Sequence, residues 1–182
     1  KDLKGKFKQV YTDTLYNRKR TSYGYVYVKK PGMMRWNYVS PERKSFIADG
    51  KVLWVHEPSD KQAFKNPLDT GSLSTGLTFL LGKGDVSKEF EVSYADEKLG
   101  GPESLVLKLV PRKPTPQYKH LLFAINPDDY SVGESMVVTK HSTNHLIFTK
   151  VKPNTGLRDA RFRFYPPKDT RVIDGSKLRR GP

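Results

Sequence analysis

The chain contains no cysteine. That excludes a disulfide scaffold, a thiol nucleophile, a zinc ribbon and an iron–sulfur site, and it leaves the compartment open. No apolar run approaches the roughly 20 residues that a bilayer-spanning helix requires. Acidic residues are scarce: 19 Asp and Glu face 33 Lys and Arg, a formal charge of +14. Such an excess suits an anionic partner, either nucleic acid or a lipid headgroup surface. Repeats, low-complexity tracts and a composition break between halves are also missing. The 182 residues therefore read as one domain, 1–182, with its own core. The chain starts at Lys1 without a methionine or a signal peptide, which reads as a trimmed start, and residues 175–182 read as a solvated tail.

Motifs for catalysis are equally sparse, and no enzyme, catalytic residue, metal or cofactor is expected. There is no Gly-x-Ser-x-Gly elbow and no His-Glu-x-x-His pair. His141 and His145 flank Ser142-Thr143-Asn144, poor helix material; in a strand they would stand about 13 Å apart, too far to share a metal. Asp128-Asp129 reads as a turn pair with no acidic partner for acid/base work. The glycine-flanked stretch from Gly71 to Gly76 lacks the Lys-Ser/Thr ending of a phosphate loop. The basic residues fall in scattered doublets such as Lys29-Lys30 and Arg179-Arg180, whereas nucleic-acid modules concentrate charge beside stacking aromatics. A basic nucleic-acid module stands as a remote alternative, and no nucleic-acid partner is expected.

What the chain does have is strand pattern. Tyr23, Tyr25 and Tyr27 alternate with Gly24, Val26 and Val28; Met34, Trp36 and Tyr38 alternate with Arg35, Asn37 and Val39. Asp49-Gly50, between Phe46-Ile47-Ala48 and the run Val52–Val55, is a strong short hairpin signal. Further runs follow at Phe90–Tyr94, Leu105–Val110, Leu121–Ile125, Met136–Thr139, Leu146–Val151 and Arg161–Phe164. The spacing predicts a mainly β fold of about eleven strands in an antiparallel sheet that curls on itself. Helical spacing occurs at Leu3, Phe7, Val10 and Tyr11, and again over Leu73–Leu81, which Gly82 stops. Asp85 is placed to cap one further short turn before Phe90.

Tyr23, Tyr25, Tyr27, Met34, Trp36, Tyr38 and Trp54 give three neighbouring strands an unusually bulky row. Such a row either fills an ordinary core or lines a hollow, because a single curled sheet has no second sheet to cover its concave side. With only two helices as cover, the pattern is compatible with a pocket for an acyl chain. Tyr25, Tyr27, Met34, Trp36 and Trp54 are the candidate cavity residues.

At these residues a family resemblance emerges. The run from Val28 to Tyr38, Pro41 and the run from Ala48 to Val55 resemble the periplasmic outer-membrane lipoprotein carriers, the LolA family. Phe7-Lys8-Gln9 resembles the Phe-x-Gln that ends the family's first helix, and Gln62 falls where its strand carries a glutamine. Leu77–Gly82 with Phe90-Glu91-Val92 resembles the lid helices and the strand after them. Ala160–Pro167 with Thr170–Asp174 resembles the closing strand and loop. The resemblance implies an incomplete, open antiparallel β-barrel with an α-helical lid, about residues 71–90, over an apolar cavity. It implies a monomeric periplasmic chaperone that takes acylated lipoproteins from an inner-membrane ABC transporter and delivers them to an outer-membrane acceptor. Leu73, Leu77, Phe79, Leu80 and Leu81 would form the lid. Lys30 would be the lid latch, standing where well-studied members carry arginine; lysine offers three donors from a point charge in place of a planar five-donor fork. The alternatives under the same fold are another envelope lipid-binding protein and an outer-membrane acceptor of the LolB type.

Overall fold

The computed structural model describes residues 1–68 and 86–175. Its strands are β1 (Asp2–Asp13), β2 (Arg18–Lys29), β3 (Met33–Ser40), β4 (Lys44–Asp49), β5 (Val52–Glu57), β6 (Gln62–Pro67), β7 (Phe90–Tyr94), β8 (Leu105–Pro111), β9 (His120–Ile125), β10 (Val132–Val138), β11 (Ser142–Pro153) and β12 (Arg171–Asp174). One helical turn, α1 (Val86–Glu89), precedes β7, where the sequence places a short turn; Asp85 lies outside the described residues. The twelve strands form one open sheet in the order β12-β6-β5-β4-β3-β2-β1-β11-β10-β9-β8-β7. The pairings from β2 to β6 are antiparallel, as are those from β7 to β11, while β12 joins β6 in parallel. This is the mainly β, open-sheet architecture expected, with twelve strands in place of about eleven.

Two local expectations are corrected. Residues 2–13 are a strand and not an amphipathic helix. Exposed Lys4, Lys6 and Lys8 alternate with Gly5, Phe7 and Gln9, of which Gly5 and Phe7 are buried. This period of two outweighs the helical spacing of Leu3, Phe7, Val10 and Tyr11 because pairing with β2 and β11 completes the backbone hydrogen bonds. Phe7-Lys8-Gln9 therefore sits inside β1 and does not end a helix. Arg161–Phe164 is likewise no strand. A 3-10 turn spans Asp159–Phe162, and the N–H groups of Arg161 and Arg163 donate back to the carbonyls of Arg158 and Ala160. The closing strand is β12, led in by the Arg171 N–H donating to Lys61 O at 2.8 Å.

The chain packs as two compact units, which comprise among the described residues 1–6, 23–68 and 150–175 in the first, and 7–22 and 86–149 in the second. In the first unit, the Asp49-Gly50 hairpin forms as expected. Gly50 adopts φ +97°, and the Asp49 carboxylate accepts the N–H groups of Lys51 and Val52 at 2.9 and 2.8 Å. In the second unit, four consecutive residues of β9, Leu121 to Ala124, are buried. β9 therefore serves two faces. Leu121 and Phe123 pack with Phe90, Leu109 and Tyr118, while Leu122 and Ala124 pack with Leu99 and Val106. The loop carrying Leu99 turns at Gly100, φ +79°, where any Cβ would fall 2.5 Å from Ser104 Oγ and 2.7 Å from the Ala124 side chain.

Candidate apolar binding face

Direct cross-strand partners project to the same side of a sheet, so the register of the first unit sorts its side chains into two faces. One face carries an apolar row that crosses five antiparallel strands, Val26–Trp36–Phe46–Val55–Phe64, and β12 extends it with Ile173 opposite Phe64. A second row beside it runs Val28–Met34–Ala48–Leu53. Val26, Val28, Met34, Trp36 and Ala48 are buried; Phe46, Leu53, Val55 and Phe64 are half-buried. The face has a polar rim, where Lys44 is paired with the Glu57 carboxylate and Gln62 Nε2 donates to the same carboxylate at 2.8 Å. The hydrogen bond from Lys44, then that from Gln62, holds the Glu57 carboxyl below its ordinary range, so this carboxylate resists protonation as pH falls. Tyr38 packs edge-on to Phe46 at 6.0 Å, joining rim to row.

The opposite face carries Tyr25, Tyr27, Arg35, Ile47, Trp54, His56 and Ala63. The segment from Leu157 to Phe164 straps across it. Lys29 Nζ donates to Leu157 O at 2.8 Å and pairs with Asp159 at 2.6 Å; Arg35 donates to Arg161 O at 3.0 Å. Phe162 is 1% exposed, and Ile47 and Ala63 on the sheet beneath are fully buried. Phe164 lies against Trp54 and His56, with ring centroids 5.4 and 4.9 Å apart. The head of the strap is fixed by Asp2, whose carboxylate accepts from the backbone N–H groups of Thr155, Gly156 and Leu157 and from the Thr155 hydroxyl. Burial, and then the neighbouring Arg35 cation, press the His56 pKa down and favour its neutral form.

The five candidate cavity residues consequently do not share one face. Met34 and Trp36 lie on the apolar face, whereas Tyr25, Tyr27 and Trp54 lie on the strapped one. The physical reason is register. Trp36 pairs with Phe46 and Trp54 with Ile47, one residue out of step, so the two indoles point to opposite sides. In β2 it is the small residues Gly24, Val26 and Val28 that turn inward, and the tyrosines turn out. Val26, Phe46, Val55 and Phe64 join Met34 and Trp36 on the apolar face; alternation within each strand sets each of them apart from its neighbours, and the cross-strand register decides which side they take.

Lys30 sits exposed in the turn after β2, where its N–H donates to Lys1 O at 2.9 Å and its ammonium meets no partner among the described residues. The expected lid residues Leu73, Leu77, Phe79, Leu80 and Leu81 lie outside the described residues, as does the tail from 176. His145 pairs with Glu134 at 2.7 Å across β10 and β11, and His141 is exposed in the preceding turn. No group of three metal-ligating side chains occurs among the described residues. No helix among them is long and apolar enough to cross a membrane.

The family model described as outer membrane lipoprotein carrier protein LolA matches residues 1–165. The outer-membrane lipoprotein carrier protein of Chromobacterium violaceum is 23% identical over 175 residues, which cover 96% of this chain and 82% of that protein. The protein of the same name from Alkalilimnicola ehrlichii is 28% identical over 174 residues, covering 94% of this chain and 77% of that protein. Among solved structures, an uncharacterized conserved protein from Thermus thermophilus aligns with a TM-score of 0.61 at 16% identity, covering 95% of this chain and 90% of that one, a likeness of fold.

Proposed function

The chain belongs to the LolA family of outer-membrane lipoprotein carrier proteins, and from that premise we propose that it is a periplasmic carrier that shelters the acyl chains of lipoproteins between two membranes. The observation that carries the proposal is the apolar row Val26–Trp36–Phe46–Val55–Phe64 with its polar rim, on the face opposite the strap. A row of this kind offers hydrocarbon contact in which the Trp36 indole N–H is the one side-chain polar group, and its half-buried members leave surface for a guest.

Energetics define the mode of binding. Burial of an acyl chain is worth about 0.8 kcal/mol per CH₂, so a fully buried sixteen-carbon chain would gain roughly 12 kcal/mol. A carrier that gripped several chains so completely would not release them. Partial burial and a competing apolar cover are required, and Leu73, Leu77, Phe79, Leu80 and Leu81 are proposed as that cover. Lys30 is proposed as its latch, contributing about 1.5–3 kcal/mol through charge-assisted hydrogen bonds to lid carbonyls. Transfer then exchanges one apolar surface for another with no chemical step. Residues 1–182 act as one monomeric carrier domain, loaded by an inner-membrane ABC transporter and unloaded at an outer-membrane acceptor.

The test is direct. Purified protein, incubated with membranes bearing an acylated lipoprotein and its transporter, should bring that lipoprotein into the supernatant; retention in the membrane at excess carrier would overturn the proposal. Lys30→Leu should lengthen cargo retention and slow delivery to an acceptor, and unchanged delivery would remove the latch.

A further inference from the structure

Basic residues that are scattered along the sequence are brought together by the fold. Residues 1–6, 23–30 and 150–165 carry ten lysines and arginines against two acids, Asp2 and Asp159, a net +8 of the chain's +14. All three segments belong to the first unit, and they adjoin one another: β1 lies between β2 and β11, and the strap is tied to them through Asp2 and Lys29. Both acids are already occupied, Asp2 by strap N–H groups and Asp159 by Lys29.

On the outward face of these strands the charge is interleaved with aromatic rings. Tyr23 and Tyr25 are 46% and 40% exposed, far more than a tyrosine in a core. Lys6 Nζ stands 5.6 Å from the centroid of Tyr25, and the Arg161 guanidinium 4.6 Å from that of Tyr27. Lys4 projects to the same side as Lys6, two residues along β1. We infer that this Lys4–Lys6–Tyr25–Arg161 face is a docking surface for an anionic lipid bilayer. It is distinct from the apolar face and does not depend on it.

The chemistry favours a bilayer over an acidic peptide. Carboxylate recognition draws on free, forked arginines, and the two arginines that register and ring contacts place on this face are both engaged, Arg35 with a strap carbonyl and Arg161 with the Tyr27 ring. What stands forward is a set of lysine point charges, whose apolar stems and mobile heads suit a diffuse plane of phosphate, with tyrosines between them that prefer the headgroup zone. A carrier held loosely at such a surface would meet lipidated cargo at its membrane and leave again, because each lysine near an anionic leaflet adds only about 1 kcal/mol.

Cosedimentation of the full chain with large vesicles of phosphatidylglycerol and phosphatidylcholine tests this, with pure phosphatidylcholine vesicles as the neutral reference. Binding should require the anionic lipid and collapse on raising salt from about 0.05 to 0.5 M, where screening shortens its reach. Lys4→Gln/Lys6→Gln should weaken binding by about 30-fold, two lysines at about 1 kcal/mol each. Lys113→Gln/Lys140→Gln removes two exposed lysines of the second unit and the same net charge; it should bind within about 3-fold of wild type, well short of one lysine's full contribution. Tyr25→Ser should also weaken binding. Equal losses in both double variants would mean diffuse charge and overturn the inference. So would failure to bind anionic vesicles, or binding of polyglutamate or RNA in their place.

Discussion

Removing the Phe162 ring would test whether the strap is part of the core. The side chain is 1% exposed, above a sheet face where Ile47 and Ala63 are fully buried. Phe162→Ala leaves a void between rigid neighbours, since the strap is pinned on both sides, by Lys29 at Leu157 and Asp159 and by Phe164 against Trp54. Truncating a buried phenylalanine costs about 3–5 kcal/mol. For a chain of this size each kcal/mol moves Tm by about 2–4 °C, so a fall of about 6–20 °C is expected by calorimetry. Affinity for an acyl probe, measured well below the lowered Tm, should stay within about 2-fold, because the void opens on the face away from the apolar row; 2-fold is about 0.4 kcal/mol, half of one CH₂. A Tm loss below about 2 °C, less than 1 kcal/mol, would mean that the strap rests on the surface without supporting it.

Other consequences are equally open to measurement. Burial pushes the Asp2 carboxyl pKa up, but the N–H groups of Thr155, Leu157 and Gly156 outweigh it, and the folded value lies below the ordinary 3.8. The stabilisation is therefore complete above 3.8 and is lost as pH falls through the lowered folded value. The difference in urea midpoint between wild type and Asp2→Asn should be present at neutral pH and shrink in acid; a gap that does not change with pH would contradict the assignment. Gly100→Ala should cost about 2–5 kcal/mol, from left-handed backbone strain plus overpacking onto Ser104 and Ala124. Gly156→Ala shares the positive φ but has open space around it, and should cost only about 1–2 kcal/mol. Equal losses would show that the Leu99 loop yields to the added methyl.

The legible parts of the sequence were those decided locally. Asp49-Gly50 made its hairpin because the turn chemistry needs no distant partner, and β3 and β9 followed their apolar patterns. Side-chain bulk does not set orientation in β2. Tyr23, Tyr25 and Tyr27 are larger than Gly24, Val26 and Val28, yet it is the small residues that face inward, since they lie in register with Tyr38, Trp36 and Met34 of the next strand. Which of two alternating rows is buried is fixed by cross-strand register, and register is a property of strand pairs that one strand's pattern does not contain. The N-terminal strand shows the same limit. Four apolar residues matched a helical stripe, while the alternation of Lys4, Lys6 and Lys8 carried the true period. Arg161–Phe164 alternates like a strand but closes a 3-10 turn, with Phe162 and Phe164 inserted into a sheet face that no local rule could reveal.

Acyl chains are proposed to bind on the row through Trp36 and Phe46 and not on the tyrosine face. Equilibrium binding of a diacylated lipopeptide in solution, without membranes, measures it most directly. Phe46→Glu should lose about 60-fold in affinity, equivalent to about three CH₂ groups denied burial at roughly 0.8 kcal/mol each, with Phe46→Ser losing less. Tyr25→Glu should bind as wild type. Unchanged binding by both Phe46 variants, or a loss confined to Tyr25→Glu, would contradict the claim.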